Sequence, residues 1–188
     1  MSIFLSYTRE DAPLVHRVFS IFERMRLNPY AYELFEESGE VLDQLIPERI
    51  KENEIFIPFI THTGVLSQWV NQEIGVARAL NKIILPVVEE GIISSGFVQF
   101  RIHVLYYPYN PDETIYRLIR RVYSLLKSKP DAIRLQCKCG NEVWGAIPPP
   151  KEIDRMINQN LVNIWTCNNC GRELTLLPKT LEQLPQLE

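Results

Sequence analysis

The 188-residue sequence has no long apolar run, and this absence bears on where the protein can reside. A membrane-spanning helix needs roughly 18 consecutive apolar residues, and no segment approaches that length. The apolar stretch at residues 3–5 is too short for the core of a signal peptide, because Arg9, Glu10 and Asp11 follow closely. We therefore expect a soluble, cytoplasmic protein with no membrane partner.

The sequence also lacks an excess of basic residues. Its 20 basic and 23 acidic side chains give a net charge of −3. Residues 1–130 carry 14 basic and 16 acidic side chains, and residues 131–188 carry 6 and 7. Sequence-independent binding to nucleic acid needs a basic surface that neutralises phosphates. Nucleic acid is therefore not an expected partner.

Short apolar runs alternate with helical periodicity through residues 1–130. The uninterrupted runs at residues 55–60 and 83–88 are typical of parallel strands covered on both faces, although Pro58 and Pro86 weigh against long, fully paired strands. We predict an α/β fold, a five-stranded parallel flavodoxin-like sheet with helices on both faces. The predicted strands are 3–5, 29–33, 55–60, 83–88 and 104–107. Asp11 is predicted to cap the first helix, and the other helices begin at Glu40, Ser67 and Asp112.

One residue in the third predicted helix, 67–80, does not fit a purely structural pattern. Glu73 lies on the inward stripe with five apolar residues, at three- and four-residue spacing: Trp69, Val70, Ile74, Ala77 and Leu80. Burial of an ionised carboxylate is costly unless something compensates for it. The flavodoxin-like order places a crevice at the carboxyl ends of the first and third strands, beside this helix. We therefore expect Trp69 and Glu73 to face the crevice.

Three segments in order resemble a Toll/interleukin receptor (TIR) domain. They are IFLSYTRED at the start, EESGEVLDQLIPERI after the second strand, and SQWVNQEIGVARALNKIILPV. The resemblance covers residues 2–127. It implies one of two functions, a non-catalytic adaptor that assembles with other TIR domains or an NAD glycohydrolase (NADase) in prokaryotic defence or signalling. It also implies self-association.

The resemblance to the NAD-cleaving type assigns roles to particular residues. It makes Glu73 the catalytic carboxylate and NAD the substrate, whereas from the residues alone an ion pair with a nearby Arg or Lys is the simpler interpretation of Glu73. Glu36 and Glu37 place negative charge near an anionic ligand, and Val41 stands where several TIR enzymes have an aromatic residue. The implied substrate-binding residues are Tyr7, Thr8, Arg9, Glu37, Ser38, Gly39 and Trp69.

The chemistry of NAD cleavage agrees with a single carboxylate. Nicotinamide leaves as a neutral amine and needs no general acid, while the ribose develops oxocarbenium character. A carboxylate near the anomeric carbon can stabilise that positive charge in a partly dry site. Trp69 could form a wall of the pocket or belong to the core, and Arg9 could meet a phosphate or belong to a solvated charged run.

All four cysteines lie beyond residue 136, in two close pairs. Cys137 and Cys139 form one pair, Cys167 and Cys170 form the other, and a glycine follows each pair. In a reducing compartment such pairs are more often metal ligands than disulfides. Four thiolates at this spacing predict a structural Zn²⁺ site.

The cysteine pairs indicate a second, smaller domain. Each knuckle leads into a predicted strand, and a helix with Ile153, Met156, Ile157 and Leu161 lies between them, as in a zinc ribbon. We predict a TIR domain at 1–130 and a zinc-ribbon-like domain at 131–188. Trp144 and Trp165 could anchor a protein partner there or fill a small core.

Overall fold

The structure is a computed structural model that describes residues 2–32, 42–92, 103–126 and 132–186, with only the backbone for 42–44. By internal contacts the chain divides into two compact units, Met1–Glu23 with Leu27–Thr114 and Arg24–Arg26 with Ile115–Glu188. The division expected from the sequence, 1–130 and 131–188, stays a prediction. None of the helices in these described ranges is both long and apolar enough to cross a membrane.

Strands and helices alternate along the first unit. The strands are β1 (Ile3–Ser6), β2 (Pro29–Tyr30), β3 (Ile55–Ile60), β4 (Ile83–Ile84), β5 (Val87–Glu89) and β6 (Val104–Tyr106). The helices are α1 (Ala12–Arg24), α2 (Leu42–Glu52), α3 (Gln68–Ala79) and α4 (Pro111–Leu125), and the last continues past Thr114 into the second unit.

The strands form a parallel sheet in the order β2-β1-β3-β5-β6, and β4 also pairs with β3. Because β4 and β5 share one position beside β3, the sheet has the five positions of a flavodoxin-like fold. Every residue of β3 is buried, whichever face its side chain points to. Both faces of the sheet are therefore covered, and the predicted fold class is confirmed.

The predicted strand 83–88 is broken at Leu85 and Pro86. The N–H of Leu85 donates to the Phe56 carbonyl, so Phe56 and, two residues later, Pro58 face this side of β3. Pro58 has no N–H to donate on this side, and the pairing is interrupted there. The Pro86 carbonyl accepts from the Val104 N–H at 2.8 Å, so Pro86 faces β6 and its missing N–H removes no hydrogen bond to β3.

A hydrophobic cluster fixes α2 and α3 on the sheet. In α3, Val70, Ile74 and Ala77 are buried in this cluster, whereas Trp69 is 38% exposed. Ser67 caps α3, because its hydroxyl accepts a hydrogen bond from the Val70 N–H at 3.3 Å. The remaining members of the cluster come from the sheet and α2: Phe4, Ile46, Ile50, Phe56, Ile60 and Val88.

Two boundaries differ from the sequence prediction. The second strand ends at Tyr30 instead of continuing through residue 33, which lies outside the described residues. Asp11 does not cap α1, because its carboxylate accepts hydrogen bonds from Thr8 and Thr61. A short 3₁₀ turn, Arg9–Asp11, precedes the helix instead.

The second unit contains two antiparallel hairpins and a helix. The hairpins are β7 (Ala132–Gln136) with β8 (Glu142–Ala146) and β9 (Asn163–Thr166) with β10 (Glu173–Leu176). The helix α5 (Pro150–Asn158) lies between them in sequence. The predicted strands after the knuckles are present as β8 and β10, while β7 and β9, which precede the knuckles, were not foreseen.

Both tryptophans of the cysteine-rich segment make contacts within the second unit. The guanidinium of Arg26 lies 3.8 Å from the centre of the Trp144 ring, a cation–π distance. Trp165 packs so closely on Gly145 that a Cβ atom there would come within 2.7 Å of the indole ring. The absence of a side chain at position 145 therefore makes room for Trp165.

We expect Gly145→Ala to destabilise the second unit by about 1–3 kcal/mol, because the added methyl group displaces Trp165. Gly75→Ala in α3 is the matched control, since a Cβ there meets nothing within 4 Å. That change should instead stabilise the helix by about 0.5–1 kcal/mol. Thermal unfolding of the metal-loaded protein measures both, and equal effects would contradict the packing argument.

Candidate functional site

Glu73 is 5% exposed and has two hydrogen-bond donors. The Ser6 hydroxyl, at the end of β1, donates to its Oε2 atom. The indole of Trp69, one helical turn earlier, also donates to the carboxylate. Among the described residues no cationic side chain contributes to the pKa of Glu73, so neutral donors alone compensate for its charge.

Burial dominates the electrostatics of Glu73 and raises its pKa to about 7, from an ordinary value of 4.5. The hydrogen bonds from Ser6 and Trp69 act in the opposite direction, because they stabilise the ionised form. The carboxylate and the carboxylic acid are therefore both populated near neutral pH.

Glu73 lines a pocket of about 520 Å³ between α2 and α3. The pocket is mainly apolar. Gly75 lines it without a side chain, and a Cβ atom built at this position would meet nothing within 4 Å, so part of the α3 backbone is open to the pocket. No lysine or arginine is among its described lining residues, which are Ile46, Pro47, Trp69, Gln72, Glu73, Gly75, Val76 and Ala79.

The register of the sheet brings Ser6 to this place. Ser6 pairs with Pro58, and β3 continues for two more residues beyond the end of β1. The last side chain of β1 is therefore at the carboxyl edge of the sheet, where the buried face of α3 passes. A small hydroxyl at this position can reach the Glu73 carboxylate in an almost water-free environment, since Ser6 is itself buried.

A second polar cluster lies at the same edge of the sheet. The Asp11 carboxylate accepts hydrogen bonds from Thr8 at 2.8 Å and from Thr61 at 3.0 Å. Thr63 contacts both hydroxyls, at 2.9 and 3.1 Å. Burial raises the pKa of Asp11, although the hydrogen bonds oppose this shift. The cluster joins the segments that follow β1 and β3.

The structure brings together only some of the residues implied by the family resemblance. Glu73 and Trp69 share the pocket, and Thr8 belongs to the Asp11 cluster. Tyr7 is half-buried and Arg9 is exposed; neither is among the described lining residues.

Three further predicted contacts, Glu37, Ser38 and Gly39, lie outside the described residues, as do Glu36 and Val41. The substrate-binding roles of all the implied residues stay predictions.

Sequence reasoning missed several residues of the site. Ser6, the hydrogen-bond partner of Glu73, was not singled out, although a polar residue directly after a buried apolar run at a crevice is a signal that could have found it. Ile46 and Pro47 of α2, and Gln72 and Gly75 of α3, were not associated with the site. No local pattern places α2 against α3.

The four cysteines form a second candidate site. Their sulfur atoms all lie within 4.8 Å of one another. Cys137 and Cys170 are 3.5 Å apart at Sγ, and Cys139 and Cys167 are 3.7 Å apart. A metal ion bound tetrahedrally at about 2.3 Å from each sulfur requires sulfur–sulfur distances of about 3.8 Å. The arrangement therefore fits a tetrahedral metal ion.

Two glycines shape the turns that carry the sulfurs. Gly140 and Gly171 have φ angles of 87° and 73°, which few other residues adopt without strain. Their N–H groups donate to the carbonyls of Cys137 and Cys167 at 2.9 and 2.8 Å. Each knuckle is thus a tight turn that points its two cysteines to one side.

The fold and sites define a class of protein: a flavodoxin-like α/β domain with a pocket-facing glutamate, joined to a cysteine-rich module that can hold a metal. The sequence profile of the TIR domain family matches residues 3–115, more than half of the chain. The chain therefore belongs to the TIR domain family, as its sequence motifs predicted.

A solved TIR domain agrees with this fold. The TIR domain of the Toll-related receptor TRR-2 from Hydra magnipapillata aligns with a TM-score of 0.54 at 12% identity, over 64% of this chain and 95% of that one. The Clostridium botulinum CMP N-glycosidase BcmB aligns with a TM-score of 0.44 at 18% identity, over 56% and 89%. The first likeness concerns the fold alone, and the second is too low to carry an argument. No curated protein matches the sequence.

The pKa of Glu73 makes a prediction about stability. Because burial raises this pKa from 4.5 to about 7, the folded state binds more protons than the unfolded state between these values. Stability is therefore lost as the pH rises toward the folded pKa. Glutamine does not titrate, so Glu73→Gln removes this loss. The unfolding free energy of the variant should therefore rise relative to that of the parent, by on the order of 3 kcal/mol from pH 4.5 to pH 8.

Denaturant unfolding across this pH range measures the difference. Glu52→Gln, the same change in an exposed ion pair with Arg49, is the control, and its difference in stability from the parent should be much smaller than that of Glu73→Gln. A difference between Glu73→Gln and the parent that does not vary with pH would contradict the burial argument.

Proposed function

We propose that the first unit is an NAD nucleosidase, which cleaves the nicotinamide–ribose bond of NAD to give nicotinamide and ADP-ribose or its cyclic form. The supporting observation is Glu73, a buried carboxylate with no cationic partner among the described residues, in a mainly apolar pocket of about 520 Å³. Membership of the TIR family, which includes NAD-cleaving enzymes, adds to this support. We further propose a role in prokaryotic defence or signalling.

The proposed mechanism assigns one task to the carboxylate. As the bond to nicotinamide breaks, positive charge develops on the ribose, and ionised Glu73 stabilises it. Ser6 and Trp69 donate to the carboxylate and hold it in one orientation. Ile46 and Val76 contribute apolar surface to the walls, which lowers the local polarity and strengthens the electrostatic interaction. Water, which loses a proton to solvent, or for the cyclic form a group of the ADP-ribose itself, then forms the new bond to the ribose.

A non-catalytic assembly domain is the alternative. TIR domains commonly self-associate, and Leu66, just before α3, is 82% exposed. An apolar side chain in that position suits an interface. Assembly and catalysis are compatible, so activity should be measured over a range of protein concentrations.

We propose that the four cysteines bind one structural Zn²⁺ ion. The sulfur distances fit this ion. Apparent binding free energies of roughly 10–16 kcal/mol are known for such sites, enough to stabilise a small unit. The zinc-ribbon-like module is proposed to dock a protein partner.

Nicotinamide release from NAD tests the proposed activity. We expect release by concentrated, zinc-loaded protein and a rate about 10²- to 10³-fold lower for Glu73→Gln, because the charge that stabilises the ribose cation is lost. Glu52→Gln should retain the parent rate, since Glu52 is exposed and outside the pocket. Release that rises more than linearly with protein concentration would support a need for self-association.

Equal release by the parent and Glu73→Gln would exclude Glu73 as the catalytic carboxylate. Absence of release at every concentration, with crowding agents present, would favour the assembly domain.

The pH dependence of the reaction follows from Glu73. The ionised form is required, so kcat/KM should rise with pH and level off above about 7. Ser6→Ala removes a donor to the carboxylate, which raises the pKa of Glu73 further and moves the rising limb to higher pH.

Ser67→Ala is the control for this pH shift. It removes the cap of α3 and costs about 1 kcal/mol of stability, yet it leaves the partners of Glu73 unchanged. Superimposable pH profiles for Ser6→Ala and the parent would show that the Ser6 hydroxyl does not act on Glu73.

A further inference from the structure

Three side-chain amides surround the cysteine cluster, and each donates to a different sulfur. Asn141, in the first hairpin, donates to Cys167 at 3.6 Å, and Asn169, in the second knuckle, donates to Cys139 at 3.6 Å. Each knuckle thus supplies a donor to the other. The third amide, Gln186, comes from outside both knuckles and donates to Cys137 at 3.8 Å.

Backbone partners fix the orientation of the Gln186 amide. Its Oε1 accepts a hydrogen bond from the Lys138 N–H at 2.7 Å, and a backbone N–H can only donate. Its Nε2 donates to the Glu173 carbonyl at 3.0 Å, and a carbonyl can only accept. The nitrogen must therefore be the atom that faces Cys137. One side chain joins a knuckle residue of the first hairpin to the start of β10.

The segment that carries Gln186 is attached to the same two hairpins. The Gln183 side chain makes a reciprocal pair with the backbone of Gln136, accepting from its N–H at 2.8 Å and donating to its carbonyl at 2.7 Å. The Leu184 N–H donates to the Thr175 carbonyl at 2.8 Å. These bonds hold residues 183–186 across the ends of β7 and β10, which places Gln186 beside the sulfurs.

We propose that Gln186 is a functional part of the metal centre, a positioning residue that orients the Cys137 thiolate and slows release of the bound ion. The proposal rests on the proposed zinc site. The segment between the first and last cysteine is then not sufficient for slow release of the ion. Residues 183–186 are also needed, because they supply the hydrogen bond to Cys137.

The charge of the centre explains why such a donor matters. Four thiolates around a divalent ion leave a formal charge of −2, and neutral N–H donors stabilise that charge without competing for the ion. Partners of this kind typically change metal affinity 10- to 100-fold when they are removed. Cys137 is buried, so water cannot replace the lost donor.

The test compares two glutamine-to-glutamate changes of equal size. Gln186→Glu keeps the acceptor for Lys138 but replaces the donor with a carboxylate facing the Cys137 sulfur and the Glu173 carbonyl. Gln183→Glu is the comparison variant. It also replaces an amide donor with a carboxylate, but this donor contacts the Gln136 carbonyl and no sulfur atom. Gln186→Met provides a neutral variant of similar length that lacks the donor. The full chain is used throughout.

Zinc content per chain is measured first, and then the rate of zinc transfer to an excess of a chromophoric chelator. We expect one zinc per chain and release about 10- to 100-fold faster for Gln186→Glu. Gln186→Met should lie between this variant and the parent. Gln183→Glu loses one of the three bonds that hold residues 183–186 but keeps the amide–sulfur contact itself, so it should accelerate release clearly less than Gln186→Glu does.

The outcomes separate the inference from the zinc proposal. Purified protein that holds no zinc, even after reconstitution, would overturn both. One zinc per chain with equal release rates for Gln186→Glu and the parent would leave the zinc site standing and overturn the role of Gln186. Equal acceleration by the two glutamate variants would also overturn it, because attachment of the segment, and not the amide–sulfur contact, would then control release.

Discussion

The first unit depends on a carboxylate that is buried without a cation among the described residues to pair with it. Isolating such a charge from water costs several kcal/mol, and a buried carboxylate is commonly compensated by an ion pair with arginine. Here two neutral hydrogen-bond donors compensate for the charge, a serine hydroxyl from the sheet and an indole from the same helix. The compensation is incomplete, which is why Glu73 changes protonation near neutral pH. The pocket is open to solvent on one side, which lowers the energetic cost of the ionised form of Glu73.

The cysteine cluster in the second unit follows the same principle. Sulfur atoms that would share a formal negative charge with a bound ion are met by amide groups of Asn141, Asn169 and Gln186, with no lysine or arginine among these donors. Neutral donors stabilise negative charge without occupying the place of a positively charged ligand. Both sites therefore keep their anionic atoms available for a positive group.

The sequence predicted these features to the extent that they are local. Apolar periodicity located the helices and strands, and Glu73 was identified because it interrupts an apolar stripe within 12 residues of its own helix. Cysteine spacing is equally local, and it predicted the cluster. Ser6 is 67 residues from its partner Glu73, and Gln186 is 49 residues from Cys137. Such pairs depend on the register of the sheet and on the path by which the C-terminal segment comes back to the hairpins. No short sequence pattern encodes either.

The break at Leu85 and Pro86 has a mechanical consequence. Strand β4, which follows α3, is anchored on Ile55 and Phe56, whereas β5, which leads to β6, is anchored on Phe59 and Ile60. The two anchor points are connected only through the backbone of β3. Pro58 lies between them in β3, and Pro86 lies between β4 and β5. Because β4 follows α3 directly, a displacement of that helix would act first on the contact with Ile55 and Phe56, whereas the β5–β6 pair is held separately at Phe59 and Ile60.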